Sequence, residues 1–296
     1  MSGWYGLLMV AGISAGALII ARNASKSGVD TNQALDMVFW AVLGGLAGAR
    51  VLHVLVEWRL YYNLCFDPDA LFGLTLRCSD EAQCLGVQQC VEGVCSTPRD
   101  CLAALKFWRG GWVFLGGFLG GAISLLTYCR LVGRRFWPSV ALLATGLPLA
   151  HAIGRVGCWV EGCCHGKATT AWYSYAGVVP TQLVEAFGNL LIFLLVGRAY
   201  KAYAMQESHG AGHESSGPGA RAVVAVYMLS YGLMRFVVEV FRGDSDRGWV
   251  ALFKTPNLSR ALGFSGAEPL FLSTSQAIGL VMVLVGLWWL LRSKRS

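Results

Sequence analysis

Two short runs place guanidinium and carboxylate groups among residues that are otherwise apolar. In YGLMRFVVEVFRGD, Arg235, Glu239 and Arg242 stand at i, i+4 and i+7, one face of one helix, with Glu239 spaced to bridge both arginines. Two arginines sharing one carboxylate leave that face positive, which suits an anion. The competing readings are an interhelical ion pair that fixes packing, and an Arg242 that snorkels toward the outer surface. In HAIGRVGCWVEGCCHGK, His151 to Lys167, Arg155 sits among Gly154, Gly157, Gly162 and Gly166. Each glycine costs about 1 kcal/mol in a helix relative to alanine, so the run reads as a helix unwinding into a tight loop. Backbone N–H groups of such a loop, together with Arg155, form a phosphate cradle; close helix packing through small residues is the alternative.

Other reactive side chains lie nearby. His151 precedes Arg155 by four residues and reads equally as a proton acceptor or a hydrogen-bonded core residue. Cys158, Cys163, Cys164 and His165 carry ligand atoms, but adjacent cysteines ligate one ion poorly and their spacing fits no common zinc frame, so neither a metal nor another cofactor is expected. A thiol here becomes a nucleophile if Arg155 or Lys167 lowers its pKa, and is otherwise an inert small hydrophobe. PTQLVEAFGNL sets Gln182 and Glu185 at i and i+3, a polar pair that lines a headgroup site or caps a helix. Arg50 and His53 fall inside GGLAGARVLHVL, and GGWVFLGGFLGG gathers glycines around Trp112 and Phe114; each alone reads as membrane packing.

The elements that must position these groups follow from composition. Of 296 residues, 55% are hydrophobic and only 14% charged, against about 25% charged in a soluble domain. Runs at 4–21, 36–56, 111–129, 138–154, 181–197, 222–241 and 272–291 approach the roughly 20 residues that span a bilayer core. The expectation is an all-α, polytopic bundle of about seven transmembrane helices, one membrane domain over 1–296, because lipid tolerates only helices or closed barrels. The first run has no Lys or Arg before Ala21 and is expected to stay as a membrane helix.

A net charge of +7 suggests nucleic acid until the basic residues are sorted by loop. One set holds Arg22 and Lys26, then Arg130, Arg134 and Arg135, then Arg198, Lys201 and Arg221, then Arg292, Lys294 and Arg295, with few acids beyond Asp30, Glu207 and Glu214. These loops read as cytoplasmic, placing the amino terminus outside and the carboxyl terminus inside, with no nucleic-acid partner. The loop at 57–110 is then extracytoplasmic and holds Cys65, Cys78, Cys84, Cys90, Cys95 and Cys101. An oxidising compartment makes such a cluster a disulfide-rich insert whose pairing spacing does not reveal; a zinc site would need the opposite orientation. Ser208 to Gly219, SHGAGHESSGPG, reads as a flexible linker with solvated His209 and His213.

Taken in order, WYGLLMVAGISAGALIIAR, GARVLHVL, GGWVFLGGFLGG, GRVGCWVEGCCHGK, PTQLVEA, YGLMRFVVEVFR and LSTSQ resemble the prolipoprotein diacylglyceryl transferase family over nearly the whole chain, interrupted by the cysteine-rich insert. The resemblance implies a bacterial inner-membrane enzyme with the topology above. Such an enzyme moves the diacylglyceryl group of phosphatidylglycerol onto the lipobox cysteine of a prolipoprotein, making a thioether and releasing glycerol phosphate. Its partners would be phosphatidylglycerol, the lipobox peptide and membrane lipids. Residue by residue it points to Tyr5, the signature arginine Arg155, the closing glycine Gly166, and Arg235 and Glu239, with Arg242 at a charged position.

On this reading Arg155, Arg235, His151 and Tyr5 are catalytic candidates. Gly154, Gly157, Cys158, Glu161, Gly166, Gln182, Glu185, Glu239 and Arg242 are expected to bind substrate. Guanidinium donors on the leaving phosphate would stabilise the charge that develops there. The proton acceptor is where the chain departs from the family: Leu115 replaces a His or Tyr, Cys158 the signature Asn and Cys163 the signature Glu. His151 and Glu161 are the nearby substitutes. Two other readings stay open: a non-catalytic paralogue that binds phospholipid or lipoprotein, and a membrane thiol oxidoreductase using Cys163 and Cys164.

Overall fold

Apolar runs become helices because an isolated backbone has no other way to satisfy its polar groups in lipid. The computed structural model describes residues 3–68, 77–79, 89–91, 94–106, 110–111, 113–209, 216–243, 248–253, 255–264 and 270–293. Its helices are α1 (Gly3–Lys26), α2 (Thr31–Val56), α3 (Trp58–Phe66), α4 (Phe114–Leu131), α5 (Phe136–Ala144), α6 (Leu147–Val160), α7 (Thr181–His209), α8 (Ser216–Phe241), α9 (Pro256–Ala261) and α10 (Thr274–Ser293). Strand β1 (Gln89–Val91) pairs antiparallel with β2 (Val94–Ser96), and β3 (Trp249–Phe253) with β4 (Phe271–Ser273). Among the described residues six helices are long and apolar enough to cross a membrane, and α5 with α6, bent by 42°, passes the same test only as a pair, as a broken span or a re-entrant loop does.

That bend corrects the expectation of one helix over 138–154. Pro148 has no N–H to give to Ala144 and its ring opposes that carbonyl, so the ladder breaks. Thr145 Oγ1 donates to Leu142 O at 2.7 Å where α5 ends, and α6 then runs on to Val160. The expected linker is also shorter than read. α7 continues through His209 and α8 begins at Ser216, with Gly219 against the Tyr203 ring and Ala220 fully buried. Residues 210–215, including His213 and Glu214, lie outside the described residues, as do Cys84, Trp112, Lys294 and Arg295.

The chain forms two compact units, residues 1–38 with 133–296, and residues 39–132. In the larger, α7 packs on both α6 and α8, α10 runs along α8, and α1 lies along α6. Leu7, Val10, Leu233 and Leu284 face outward, whereas Glu185, Asn189, Glu239 and Gln276 are buried. This reversal of the soluble pattern is expected where lipid is the solvent and polar groups turn to the bundle interior.

In the smaller unit, α2 and α4 approach so closely that a Cβ on Gly48 would lie 2.8 Å from Gly120 Cα. Arg50 donates to the carbonyls of Ala103, Ala104, Lys106, Gly110 and Gly111. Disulfides join Cys65 to Cys101 and Cys78 to Cys90, and Cys95 is also disulfide-bonded. The insert is thus cross-linked, as its cysteine content requires.

Candidate functional site

Three helices of the larger unit each contribute one polar stripe at helical spacing: His151, Arg155 and Cys158 on α6, Gln182, Glu185 and Asn189 on α7, and Tyr231, Arg235 and Glu239 on α8. Glu185, 1% exposed, is the meeting point. Arg155 Nε lies 2.5 Å from its Oε2, while Arg235 Nη1 and Arg242 Nη1 lie 3.0 and 3.5 Å from its Oε1. Arg235 Nη2 also pairs with Glu239 Oε2 at 2.9 Å. Among these five groups three positive charges face two negative ones. Glu239 thus pairs with Arg235 one turn away on its own helix, and Glu185 from another helix meets Arg155, Arg235 and Arg242. Arg242 is buried rather than snorkelling.

Further polar side chains surround the cluster. Ser273 precedes α10 and Gln276 is its third residue; Gln276 N donates to Ser273 Oγ at 3.2 Å and Ser273 N to Gln276 Oε1 at 3.1 Å. This reciprocal capping box also lets Ser273 Oγ donate to Glu239 Oε1 at 3.0 Å. Arg235 Nη2 reaches Ser275 Oγ at 3.3 Å, and Asn189 Nδ2 donates to Glu185 O at 2.8 Å. The sequence reading assigned no role to Ser273, Ser275, Gln276, Asn189 or Tyr231. The signal for Ser273 and Gln276 was present, since S-x-x-Q ahead of an apolar run is a helix-start signature.

The glycine-rich run differs in detail from the cradle expected. Gly154 and Gly157 remain inside α6, where Gly157 packs against Tyr5 and Leu8 of α1. The helix carries both glycines without a break, and a Cβ at either would meet α1 only at 3.4–3.5 Å. Beyond Val160 the chain turns through Gly162 (φ 71°) and Cys164 (φ 62°). Glu161 N donates to Gly157 O, Cys163 N to Cys158 O, Gly166 N to Val179 O and Lys167 N to Phe241 O. These four amides are therefore spent on the fold, and the guanidiniums are the charged donors beside them. At Gly166 a Cβ would lie 2.5 Å from Phe241 O and 2.6 Å from Val179 Cβ, so the closing glycine fits where no side chain does. Gln182 Nε2 donates to Cys163 O at 2.7 Å and Thr181 Oγ1 to Cys164 O at 3.0 Å; Gln182 ties down the loop rather than capping its helix.

His151 lies beside the Tyr231 ring, 5.5 Å between centroids, which in turn stacks on Tyr227. The sulfurs of Cys158, Cys163 and Cys164 gather within 4.8 Å of one another. His165 instead directs Nδ1 to Gly166 O at 3.1 Å. The Cys164 thiol is pulled down to about 5, first by its hydrogen bond with Cys158, then by Cys163 and by the charges of Arg242 and Arg155, against the effect of burial. Burial pushes the Cys163 thiol up.

A buried cluster with surplus positive charge, carried on apolar helices, can hold a phosphate ester. The sequence profile described as prolipoprotein diacylglyceryl transferase matches residues 3–292. Similar proteins include phosphatidylglycerol–prolipoprotein diacylglyceryl transferases of Clostridium tetani (26% identical, over 96% of this chain and 90% of the relative), Methylococcus capsulatus (28%, over 84% and 80%) and Prochlorococcus marinus (27%, over 99% and 88%). With that match running almost from end to end, the chain is a multi-pass membrane protein that belongs to the prolipoprotein diacylglyceryl transferase family.

Proposed function

We propose that this protein transfers the diacylglyceryl group of phosphatidylglycerol to the lipobox cysteine of a prolipoprotein, with Arg155 and Arg235 holding the lipid phosphate. A thiolate attacks the glyceryl carbon next to the phosphate. The C–S bond forms as the C–O bond breaks, and glycerol phosphate leaves with the electron pair. Charge on the departing phosphate rises through this step, so preorganised guanidiniums stabilise the transition state more than the bound lipid. The observation that carries the reading is the convergence of Arg155, Arg235 and Arg242 on one buried carboxylate, Glu185. Glu185 and Glu239 orient the arginines and keep them from being an unpaired buried charge when no lipid is present. Tyr5 packs on Gly157 at the end of α6, and Gly166 lets the following loop approach Phe241 and Val179.

Label transfer from glyceryl-labelled phosphatidylglycerol to a lipobox peptide tests this directly. Label should appear on the peptide thiol and be lost in Arg155→Ala and Arg235→Ala. A second reading, phospholipid binding without transfer, is favoured by Leu115, Cys158 and Cys163 at the departing positions. It requires lipid binding with no label on the peptide under conditions where a relative from Clostridium tetani is active.

The setting we propose is the bacterial inner membrane, with the amino terminus and the 57–110 insert outside and the carboxyl terminus in the cytoplasm. Arg22, Lys26, Arg134, Arg135, Arg198 and Lys201 support it through their loop positions, and the Cys65–Cys101 and Cys78–Cys90 disulfides through their need for an oxidising compartment. A carboxyl-terminal green fluorescent protein fusion should fluoresce, and a fusion to alkaline phosphatase there should be inactive.

A further inference from the structure

Among the described residues one group of three metal-ligating side chains converges, the thiols of Cys158, Cys163 and Cys164, whose sulfurs all lie within 4.8 Å of one another. Cys163 Sγ and Cys164 Sγ are 3.4 Å apart. Zinc bound to thiolate at about 2.3 Å in tetrahedral geometry sets its sulfurs about 3.8 Å from each other, a separation inside the observed range. The adjacency of Cys163 and Cys164, which argues against a shared ion when only spacing is known, is answered by the fold. Cys158 stands on the last turn of α6, and the reversal through Gly162 and Cys164, both at positive φ, carries the two later thiols back to it. Gln182 and Thr181 hold the Cys163 and Cys164 carbonyls, fixing the turn.

Three protein ligands, not four, is the donor set of a zinc site with one position open. We propose that Cys158, Cys163 and Cys164 bind zinc(II) and that the incoming substrate thiol is its fourth ligand; the second half rests on the transferase reading above. On coordination the substrate thiol loses its proton to water, because a metal-bound thiol is deprotonated outright. The zinc-bound sulfur attacks the glyceryl carbon, the C–O bond to phosphate breaks, and glycerol phosphate leaves toward Arg155 and Arg235. The neutral thioether that remains is a weak ligand and dissociates. No electron is transferred and zinc stays divalent throughout. The site thereby supplies a thiolate without calling on His151 as base. Three cysteine thiolates around zinc carry one net negative charge, which the surplus positive charge of the arginine cluster offsets.

The test uses the full chain in detergent with the disulfides of the insert intact, stripped by a chelator, then dialysed anaerobically against zinc(II). About one zinc per chain should remain, falling below about one fifth in Cys158→Ser and in Cys164→Ser and unchanged in Cys129→Ser. Zinc should also shield the three thiols from maleimide in the unsubstituted protein, a readout that does not depend on any variant folding. Cobalt(II) in place of zinc should show sulfur-to-metal charge transfer and tetrahedral ligand-field bands, and a lipobox cysteine peptide should shift those bands where the serine peptide does not. Bound zinc far below one per chain without thiol protection, or full zinc retained by Cys158→Ser, overturns the site. Zinc binding with a cobalt spectrum blind to the cysteine peptide overturns the open position. Label transfer by the zinc-free protein at the full rate sinks the catalytic role while leaving the transferase reading standing; zinc bound with no label transferred sinks that reading and leaves the site.

Discussion

Arginine is partly withdrawn from solvent in both units of the molecule, and the two ways of holding it differ. In the smaller unit Arg50 gives Nε to Ala104 O at 2.9 Å, Nη1 to Gly110 O at 2.5 Å and Gly111 O at 3.2 Å, and Nη2 to Ala103 O at 2.8 Å and Lys106 O at 3.3 Å. Every nitrogen of that guanidinium faces a backbone carbonyl, which cannot move away without unfolding the turn. In the larger unit Arg155, Arg235 and Arg242 divide Glu185 among them. A guanidinium spent on carbonyls is a part of the scaffold. Guanidiniums that share a carboxylate keep charge to offer a ligand, and the comparison turns on that difference rather than on burial.

The largest expected effect comes from removing the shared carboxylate. Glu185→Gln leaves three guanidiniums around a neutral amide with only Glu239 to offset them, and breaking a buried ion network in this way costs about 3–5 kcal/mol. Thermal unfolding in detergent should show it as the most destabilised variant of the set. A melting temperature within a degree or two of the parent protein would mean that Glu185 does not hold the cluster. Next, Arg235→Ala removes a charge aimed at the leaving phosphate and should lower label transfer by roughly 100- to 1,000-fold, the usual cost of losing one transition-state donor. Its melting temperature should fall less than that of Glu185→Gln, because the remaining charges then balance.

Arg50→Lys supplies the contrast. The charge is kept, but an ammonium has three donors on a flexible stem and cannot match five carbonyls, so some are left unsatisfied at about 1–3 kcal/mol each where buried. Stability should drop while transfer per folded molecule stays within about threefold of the parent. A loss of transfer comparable to Arg235→Ala, measured on folded protein, would erase the distinction between the two kinds of arginine.

Much of this architecture is legible in sequence because it is written in local periodicity. The stripe Arg235, Glu239, Arg242 and the polar pair Gln182 and Glu185 are visible within one or two helical turns and the apolar runs within about 20 residues, whereas Gly166 is singled out by the family resemblance alone. What is not legible is pairing between windows. Arg155 and Arg235 meet at Glu185, 30 and 50 residues away, and nothing local distinguishes Glu185 from Glu239 as the hub. The same limit applies to Arg50, which looks like any arginine in a glycine-rich helix until the turn at 103–111 is folded beneath it. Gly154 and Gly157 mislead for the related reason that their helix-breaking tendency is a backbone property, whereas the packing of α6 along α1 that keeps the helix together is a tertiary one.

The smallest effect probes how finely the shared-carboxylate arrangement is tuned. Ser273 stands outside the ion cluster, yet its hydroxyl donates to Glu239 Oε1 and accepts from Gln276 N. Ser273→Ala should cost about 1 kcal/mol through loss of the cap. Its second consequence separates it from an ordinary capping variant: Glu239 loses one hydrogen bond, becomes a better partner for Arg235, and draws that guanidinium from the phosphate. Transfer should fall several-fold, roughly the effect of one hydrogen bond to a charged group, with weaker apparent affinity for phosphatidylglycerol and little change in maximal rate. Ser273→Thr, which keeps both the cap and the hydroxyl, should recover affinity. Recovery of stability without affinity in Ser273→Thr would show that the cap matters and the link to Glu239 does not, and the reach of the cluster would then end at its five charged residues.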